Sequence, residues 1–226
     1  MISRGGAAFH SRIRAVGIQS SVARVGKTPP HWLLEGLFII VSVALGFGVA
    51  QYGDYRNNRE LATRVLKNLL AELEHNLGIL EPMVPLHRKW VEALDKADTS
   101  NSSQSGIDLF FAARPPLPAN AKSPFPFLRR SAWDAALSGG ALRLIDYEVA
   151  AALSEIYRLQ EIATGNVDRL AKGGLSSTAT FDPASRVASV RLLWLTLADI
   201  ESAEATLLDL YRQHLPTIRA AANAER

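Results

Sequence analysis

From Gly36 to Gly53 the chain runs for 18 residues without a charged side chain, GLFIIVSVALGFGVAQYG. No later segment is apolar on every face, so this run restricts the possible folds more than any other feature. Extended back to Trp32 it covers residues 32–53, about 33 Å as a helix, enough for a hydrocarbon core of about 30 Å. Trp32 stands at one end, and Tyr52 and Tyr55 at the other, where amphipathic rings favour the membrane–water boundary. Pro29 and Pro30 precede the run and keep a helix from starting earlier. The reading is a transmembrane helix. A buried core helix is the first alternative, disfavoured by the all-round apolarity. A signal peptide cut after Ala50 is the second, disfavoured because helical sequence continues past that point.

Glu35 lies one turn inside the first end. There it reaches the headgroup region and sits near a helix N-terminus, where negative charge is favoured. A proton relay would need a second ionisable group in the run, and none is present. Ser42, Gly46 and Ala50 recur every four residues, with Ala44 and Gly48 beside them. Small residues at this interval let two helices approach closely. They are the candidate helix-packing residues, while Trp32, Glu35, Tyr52 and Tyr55 are the candidate membrane-interface residues.

Charge is uneven. Before residue 54 there are five basic residues (Arg4, Arg12, Arg14, Arg24 and Lys27) against Glu35 alone, leaving 20 basic and 21 acidic residues afterwards. The high pI therefore comes from the tail, and no nucleic-acid surface is expected on the near-neutral remainder. The tail, residues 1–31, either lies on anionic lipid as a weak amphipathic segment or is disordered. Arg56, Arg59, Arg64 and Lys67 follow the run, so the positive-inside count is nearly balanced. A cytoplasmic N-terminus with a periplasmic body is preferred, because the tail is basic throughout and no second span follows. Cysteine is absent, which excludes disulfides and thiolate chemistry.

Residues 54–226 read as an all-α bundle. Leu61, Val65, Leu69, Leu73 and Leu77 recur every four residues, so the first helix is expected to run on from the span, from about Leu33 to Leu80. Pro82 and Pro85 are expected to end it, with a second helix over 85–97. Residues 99–130 form a long Ser- and Pro-rich connection, in which Phe110, Phe111, Phe125 and Phe127 suggest packing against the bundle. SAWDAALSGG reads as a short helix ended by Gly139 and Gly140. Asp146 reads as the cap of a longer helix closed by Gly173 and Gly174, and Asp182-Pro183 opens the last, ended or kinked at Pro216. The expected architecture is a transmembrane helix continuing into a stalk helix and an antiparallel bundle.

The span EGLFIIVSVALGFGVAQYGD is followed by RELATRVLKNLLAELEHNL and then by SAWDAALSGGALRLIDYEVAAALSEIYRLQ. This order resembles a broad group of uncharacterised bacterial membrane-anchored proteins, described only as domains of unknown function. The likeness covers about Trp32 to Gln160. It is carried by the Glu before the span, by Glu72 with Asn76, and by Trp133 followed by Tyr157. It implies a single-span helical protein of the bacterial inner membrane and implies no activity.

Chemistry is sparse. Glu72 and His75 form one Glu-x-x-His, whereas di-iron bundles need two such pairs and two further carboxylates. A solvated helix face is the simpler account, and no metal or cofactor is expected. Tyr147, Tyr157, Trp133 and Trp194 either line a ligand cleft or fill the core. Arg129, Arg130 and Arg158 are candidates for anion binding or for plain surface. No phosphate loop, nucleophile elbow or paired-carboxylate motif occurs, so no catalytic residue is named. The leading reading is an interaction protein whose partners are the bilayer and either a second copy or another membrane protein. The alternative is a ligand-sensing bundle acting through a partner, because about 30 residues before the span are too few for a signalling domain. An enzyme is the third.

Overall fold

The computed structural model describes residues 30–101, 103–119, 121–125 and 127–224. The reading of the tail falls on residues 1–29 and lies outside them. Among the described residues there are six α-helices and no strand, as the all-α reading expects. The chain divides into two compact units, Met1–Val49 and Ala50–Arg226. In the first, helix α1 (His31–Asp95) begins, and every side chain over 37–50 is exposed.

In the second unit α1 continues to Asp95, straight through Pro82 and Pro85. The expected break and second helix are therefore corrected: residues 85–95 are the last turns of α1. A proline inside a helix costs about 3 kcal/mol through a lost hydrogen bond and a clash with the carbonyl four residues back. Here those carbonyls belong to Gly78 and Glu81, which are exposed, so water can donate to them in place of the missing N–H. Met83, Val84, Leu86, Trp90 and Leu94 are buried on the other flank. Each contributes about 1.5–3 kcal/mol by leaving water, so packing outweighs the two prolines. The same reasoning carries α6 (Arg186–Ala224) through Pro216, since Leu215, Ile218 and Ala222 are buried while Arg212, whose carbonyl the proline frees, is exposed.

Helix α4 (Tyr147–Arg169) begins where Asp146 accepts from the Glu148 and Val149 N–H groups. A π-helical turn, Leu170–Leu175, carries it on past Arg169, and the run closes just after Gly173 and Gly174. A Cβ on Gly174 would meet Leu193 Cδ2 at 2.9 Å, so the glycine permits close approach to α6. Helix α3 (Ser131–Ser138) ends at Gly139, followed by Gly140 at φ 64, the left-handed region that glycine tolerates. A 3₁₀ turn, Ala141–Leu144, joins α3 to α4.

Ion pairs Glu74–Arg219 and Arg88–Glu201 set α6 antiparallel to α1. Hydrogen bonds Tyr157–Glu72 and Gln160–Asn76 set α4 parallel to α1, and Tyr211–Gln160 with Asn166–Asp199 set α6 antiparallel to α4. One core joins Leu66, Leu69 and Leu73 of α1 to Leu153 and Ile156 of α4 and to Leu207 and Tyr211 of α6. The other joins Trp90 and Leu94 to Phe110, Leu193 and Leu197. The apolar stripe on α1 lies slightly round from the expected one, for Ala62 and Leu66 are buried while Leu61 is exposed.

The Ser- and Pro-rich connection holds a helix that the sequence reading passed over, α2 (Gly106–Ala112). Its signal was the capping box Ser105-Gly-Ile-Asp108, in which the Ser105 side chain accepts from the Asp108 N–H and the Asp108 carboxylate accepts from Ser105. Those bonds, the side-chain one first, lower the Asp108 pKa. Trp90 Nε1 donates to the Phe110 carbonyl at 2.8 Å and pins α2 to α1. Of the four phenylalanines, Phe110 is buried and Phe125 packs against the second core, whereas Phe111 and Phe127 are exposed.

Helix α2 approaches α6 through Gly106, where a Cβ would meet Ser189 Cβ at 2.4 Å. We expect Gly106→Ala to destabilise the protein by roughly 1–3 kcal/mol through overpacking. At Gly165, where a Cβ meets nothing within 4 Å, Gly165→Ala is expected to stabilise by about 0.5–1 kcal/mol through helix propensity. Thermal melts of both variants in detergent check the opposite signs.

Candidate functional site

Two knots of polar side chains lie inside the body. In the first, α1 turns Glu72 and Asn76 inward, one helical turn apart, both buried. Helix α3 begins at Arg130, which supplies no side-chain cap. Glu72 supplies it from another helix: its carboxylate accepts from the Ala132 N–H at 2.8 Å, the Trp133 N–H at 3.4 Å and the Ser131 hydroxyl at 3.1 Å. A negative group at a helix N-terminus meets the free N–H donors and the positive end of the helix dipole. Tyr157 adds a fourth donor at 2.7 Å, and its ring stacks on Trp133 at 4.7 Å. Burial first, and the bond to Glu72 second, push the Tyr157 hydroxyl pKa up, and burial does the same for Tyr211.

Asn76 grips the chain just before α3. Its Nδ2 donates to the Arg129 carbonyl at 2.7 Å and its Oδ1 accepts from the Arg129 N–H at 2.8 Å. Gln160 donates to the same carbonyl at 2.9 Å and accepts from Tyr211 at 3.0 Å. Helices α1 and α4 thus hold one peptide, and α6 steadies Gln160 through Tyr211.

In the second knot, His87 is fully buried. Its Nε2 lies 2.8 Å from the Pro124 carbonyl and its Nδ1 2.6 Å from Glu204 Oε2. A carbonyl only accepts, so Nε2 donates to it, and one proton lies along Nδ1···Oε2. Phe125 stacks on the imidazole at 5.3 Å. The cavity beside Glu204, lined also by Phe125, Leu128 and Val167, measures about 50 Å³. The sequence reading missed His87 and Glu204. The available signal was spacing, since His87 falls on the buried stripe with Val84 and Trp90.

Glu72 and His75 are not brought together, for Glu72 faces the core and His75 is exposed. No cluster of three His, Asp or Glu side chains that could hold a metal ion occurs among the described residues. The four aromatics do not converge on a cleft either. Trp133 and Tyr157 stack in the core, Tyr147 is 84% exposed, and Trp194 packs near the other core with Arg191 over its ring at 4.5 Å. Arg130 pairs with Asp134 at 3.1 Å, while Arg158 is exposed.

In α1, Ser42, Ala44, Gly46, Gly48 and Ala50 are all exposed, as are Trp32, Tyr52 and Tyr55. Glu35 has a partner that the sequence reading did not name, His31 one turn earlier at 3.4 Å. Among the described residues α1 is the one helix long and apolar enough to cross a membrane. Comparison with protein-family models, with curated proteins and with solved structures finds no match.

The raised Tyr157 and Tyr211 values set an alkaline limit. Above pH of about 10 the unfolded chain gives up its phenolic protons while the folded chain keeps these two, so stability falls as pH rises. Tyr157→Phe should lower stability at pH 7 by roughly 1–3 kcal/mol, because Glu72 loses a donor. It should also flatten the alkaline fall. Urea unfolding at both pH values tests this, and an undiminished fall would place the effect elsewhere.

Proposed function

We propose that the chain is a membrane-anchored interaction protein, held by one pass in the bacterial inner membrane with its body in the periplasm. It works as a homo-oligomer or as an accessory subunit of a larger membrane complex. The observation that carries this reading is the surface of α1 over 37–50. There the large apolar side chains are between 45% and 74% exposed on every face of the helix. Such a surface is stable only against lipid or another helix. The unbroken course of α1 through Ala50 supports an anchor over a cleaved leader. Interaction is favoured over ligand sensing by the body itself. The cavity at the buried Glu204 measures about 50 Å³, and the larger hollows of the body, such as the one between Tyr147, Ser154 and Arg158, are shallow and open to water, unlike a site that encloses a ligand.

The span's packing face is the stripe Ser42, Gly46 and Ala50. A Cβ on Gly46 meets nothing within 4 Å. Gly46→Leu therefore leaves the chain's own fold undisturbed while filling the space where a second helix would approach. We expect Gly46→Leu to weaken association of the full chain in a membrane dimerisation assay, and the volume-conserving Leu45→Ile to leave it unchanged. Equal association of all three chains would leave the span as an anchor alone. Orientation has its own check: a C-terminal reporter active only outside the cytoplasm should be on, and a stable but silent fusion would reverse the topology.

A further inference from the structure

Between Phe110 and Arg129 the connection crosses the second unit with little hydrogen bonding to its helices. Among the described residues of that stretch, Pro124 is the one bonded to a helix, through His87. Phe125, next along, stacks on His87 at 5.3 Å and on Trp90 at 5.8 Å. Phe125 and Leu128 share the cavity beside Glu204 with Leu80 of α1 and Val167 of α4. Ala121 and Ser123 face Met83 across a second hollow. If His87 lets go of Pro124, these apolar side chains of α1 lose their cover.

The closed arrangement fixes a proton count. His87 Nε2 donates to the carbonyl, and the 2.6 Å between Nδ1 and Glu204 Oε2 needs one proton along it. Without that proton an imidazole lone pair faces a carboxylate, and the contact becomes repulsive. With a second proton the pair carries a net positive charge where His87 is fully buried, and a buried charge without a partner is costly. The other charges around the pair are matched or in water. Arg88 of α1 pairs with Glu201 of α6 at 2.9 Å. Asp168 of α4, which lines the cavity beside Glu204, pairs with Lys172 at 3.2 Å. Asp108 of α2 is tied to Ser105, Lys122 of the connection is exposed, and α5 (Thr178–Phe181) carries no charged side chain.

We propose that His87 and Glu204 form a proton-operated latch on the connection, closed with one proton between them and open when that proton is lost or a second is gained. Glu72 and Asn76 are untouched, so the helices keep their register and only the connection is released. The latch goes beyond the proposed function and does not depend on how the chain is anchored. Its consequence is that pH sets how often Met83 and Trp90 are uncovered. In water a free imidazole gives up its proton at a pH of about 6.5, and a free carboxylate takes one up at about 4.3. Above about 6.5 the open latch holds no proton and the closed latch holds one, so opening releases a proton and is favoured as pH rises. Between these values both states hold one proton, and opening does not respond to pH. Below about 4.3 the open latch holds two, so opening takes one up and is favoured as pH falls.

The absence of natural cysteine makes the test direct. Three single-cysteine variants of the full chain in detergent are labelled with a neutral thiol reagent between about pH 6 and pH 8.5, across the upper limit. Met83→Cys lies under the connection, at a position 1% exposed, and reports the latch. Leu153→Cys, at a fully buried position of the first core, reports unfolding of the whole body. Leu137→Cys, at a position 56% exposed, supplies the rate of the free thiolate by which both are divided. The expected result is a relative rate at Met83→Cys that climbs above pH of about 6.5 by up to about tenfold per pH unit, while Leu153→Cys stays flat. Adding Glu204→Gln to Met83→Cys should abolish the climb. The new amide N–H can donate to a neutral Nδ1 while Nε2 still donates to Pro124, so no shared proton is needed. A flat rate at Met83→Cys overturns the latch, and so does an equal climb with and without Glu204→Gln. The same climb at Leu153→Cys overturns it as well, because the whole body then opens. Should Glu204→Gln fail to fold, the comparison of Met83→Cys with Leu153→Cys decides by itself.

Discussion

Taking a carboxylate out of water costs several kcal/mol unless it finds donors, and Glu72 finds four. Much of the first core follows from that requirement. The free N–H groups at the start of α3 must lie against α1, which fixes where the chain returns after its long excursion. Tyr157 must lie on the same side, which sets the register of α4 against α1. Trp133 then stacks on Tyr157 because the two neighbours of the carboxylate are held side by side. Asn76, one turn along, fixes the height at which the chain enters by binding both polar atoms of the Arg129 peptide. Apolar burial supplies most of the driving force, but it would tolerate a slide of one turn. The Glu72–Asn76 pair does not.

His87 plays the corresponding role for the second core. It holds the Pro124 carbonyl against α1 and Glu204 of α6 against both. The Pro-rich connection is therefore held at Phe110 by Trp90, at Pro124 by His87 and at Arg129 by Asn76. Three residues of one helix face, at 76, 87 and 90, keep about 30 residues of irregular chain in place. Proline helps by restricting the unfolded alternatives. The connection is a wrap across the bundle rather than a linker.

Long-period features were legible in the sequence and tertiary overrides were not. The uncharged run, the glycine stop after α3 and the Asp146 cap are local signals, and each appears where the residues place it. Pro82 and Pro85 were read by propensity as helix ends, and Pro216 as an end or a kink. They fail as ends because each faces outward with its freed carbonyl in reach of water, a fact that belongs to burial rather than to composition. Helix α2 was hidden because seven residues in a Ser-rich stretch carry no period, although its capping box could have been recognised. The polar knots were the least visible. Glu72 and His75 were read as one solvated helix face, yet the helix turns Glu72 inward and leaves only His75 in water. His87 was passed over as an isolated histidine, since nothing in sequence marks Pro124 and Glu204 as its partners.

The knots also bear on where function resides. A side chain that binds a ligand or drives a reaction must leave a donor, an acceptor or a charge unspent in a place that a second molecule can reach. Glu72, Asn76, Gln160, His87 and Glu204 are the body's buried polar groups with the most chemistry, and each is already committed to partners within the chain. Their work is structural: they give a small bundle one register instead of several. Outside the cores, the large apolar side chains over 37–50 lie exposed on every face of α1. A helix of that length and apolarity is long enough to cross a bilayer, which under the proposed function is what covers it. Under the proposed function, that exposed surface is the point of attachment. The knots, for their part, hold the second unit in one register, so that the surface it offers a partner is a single one.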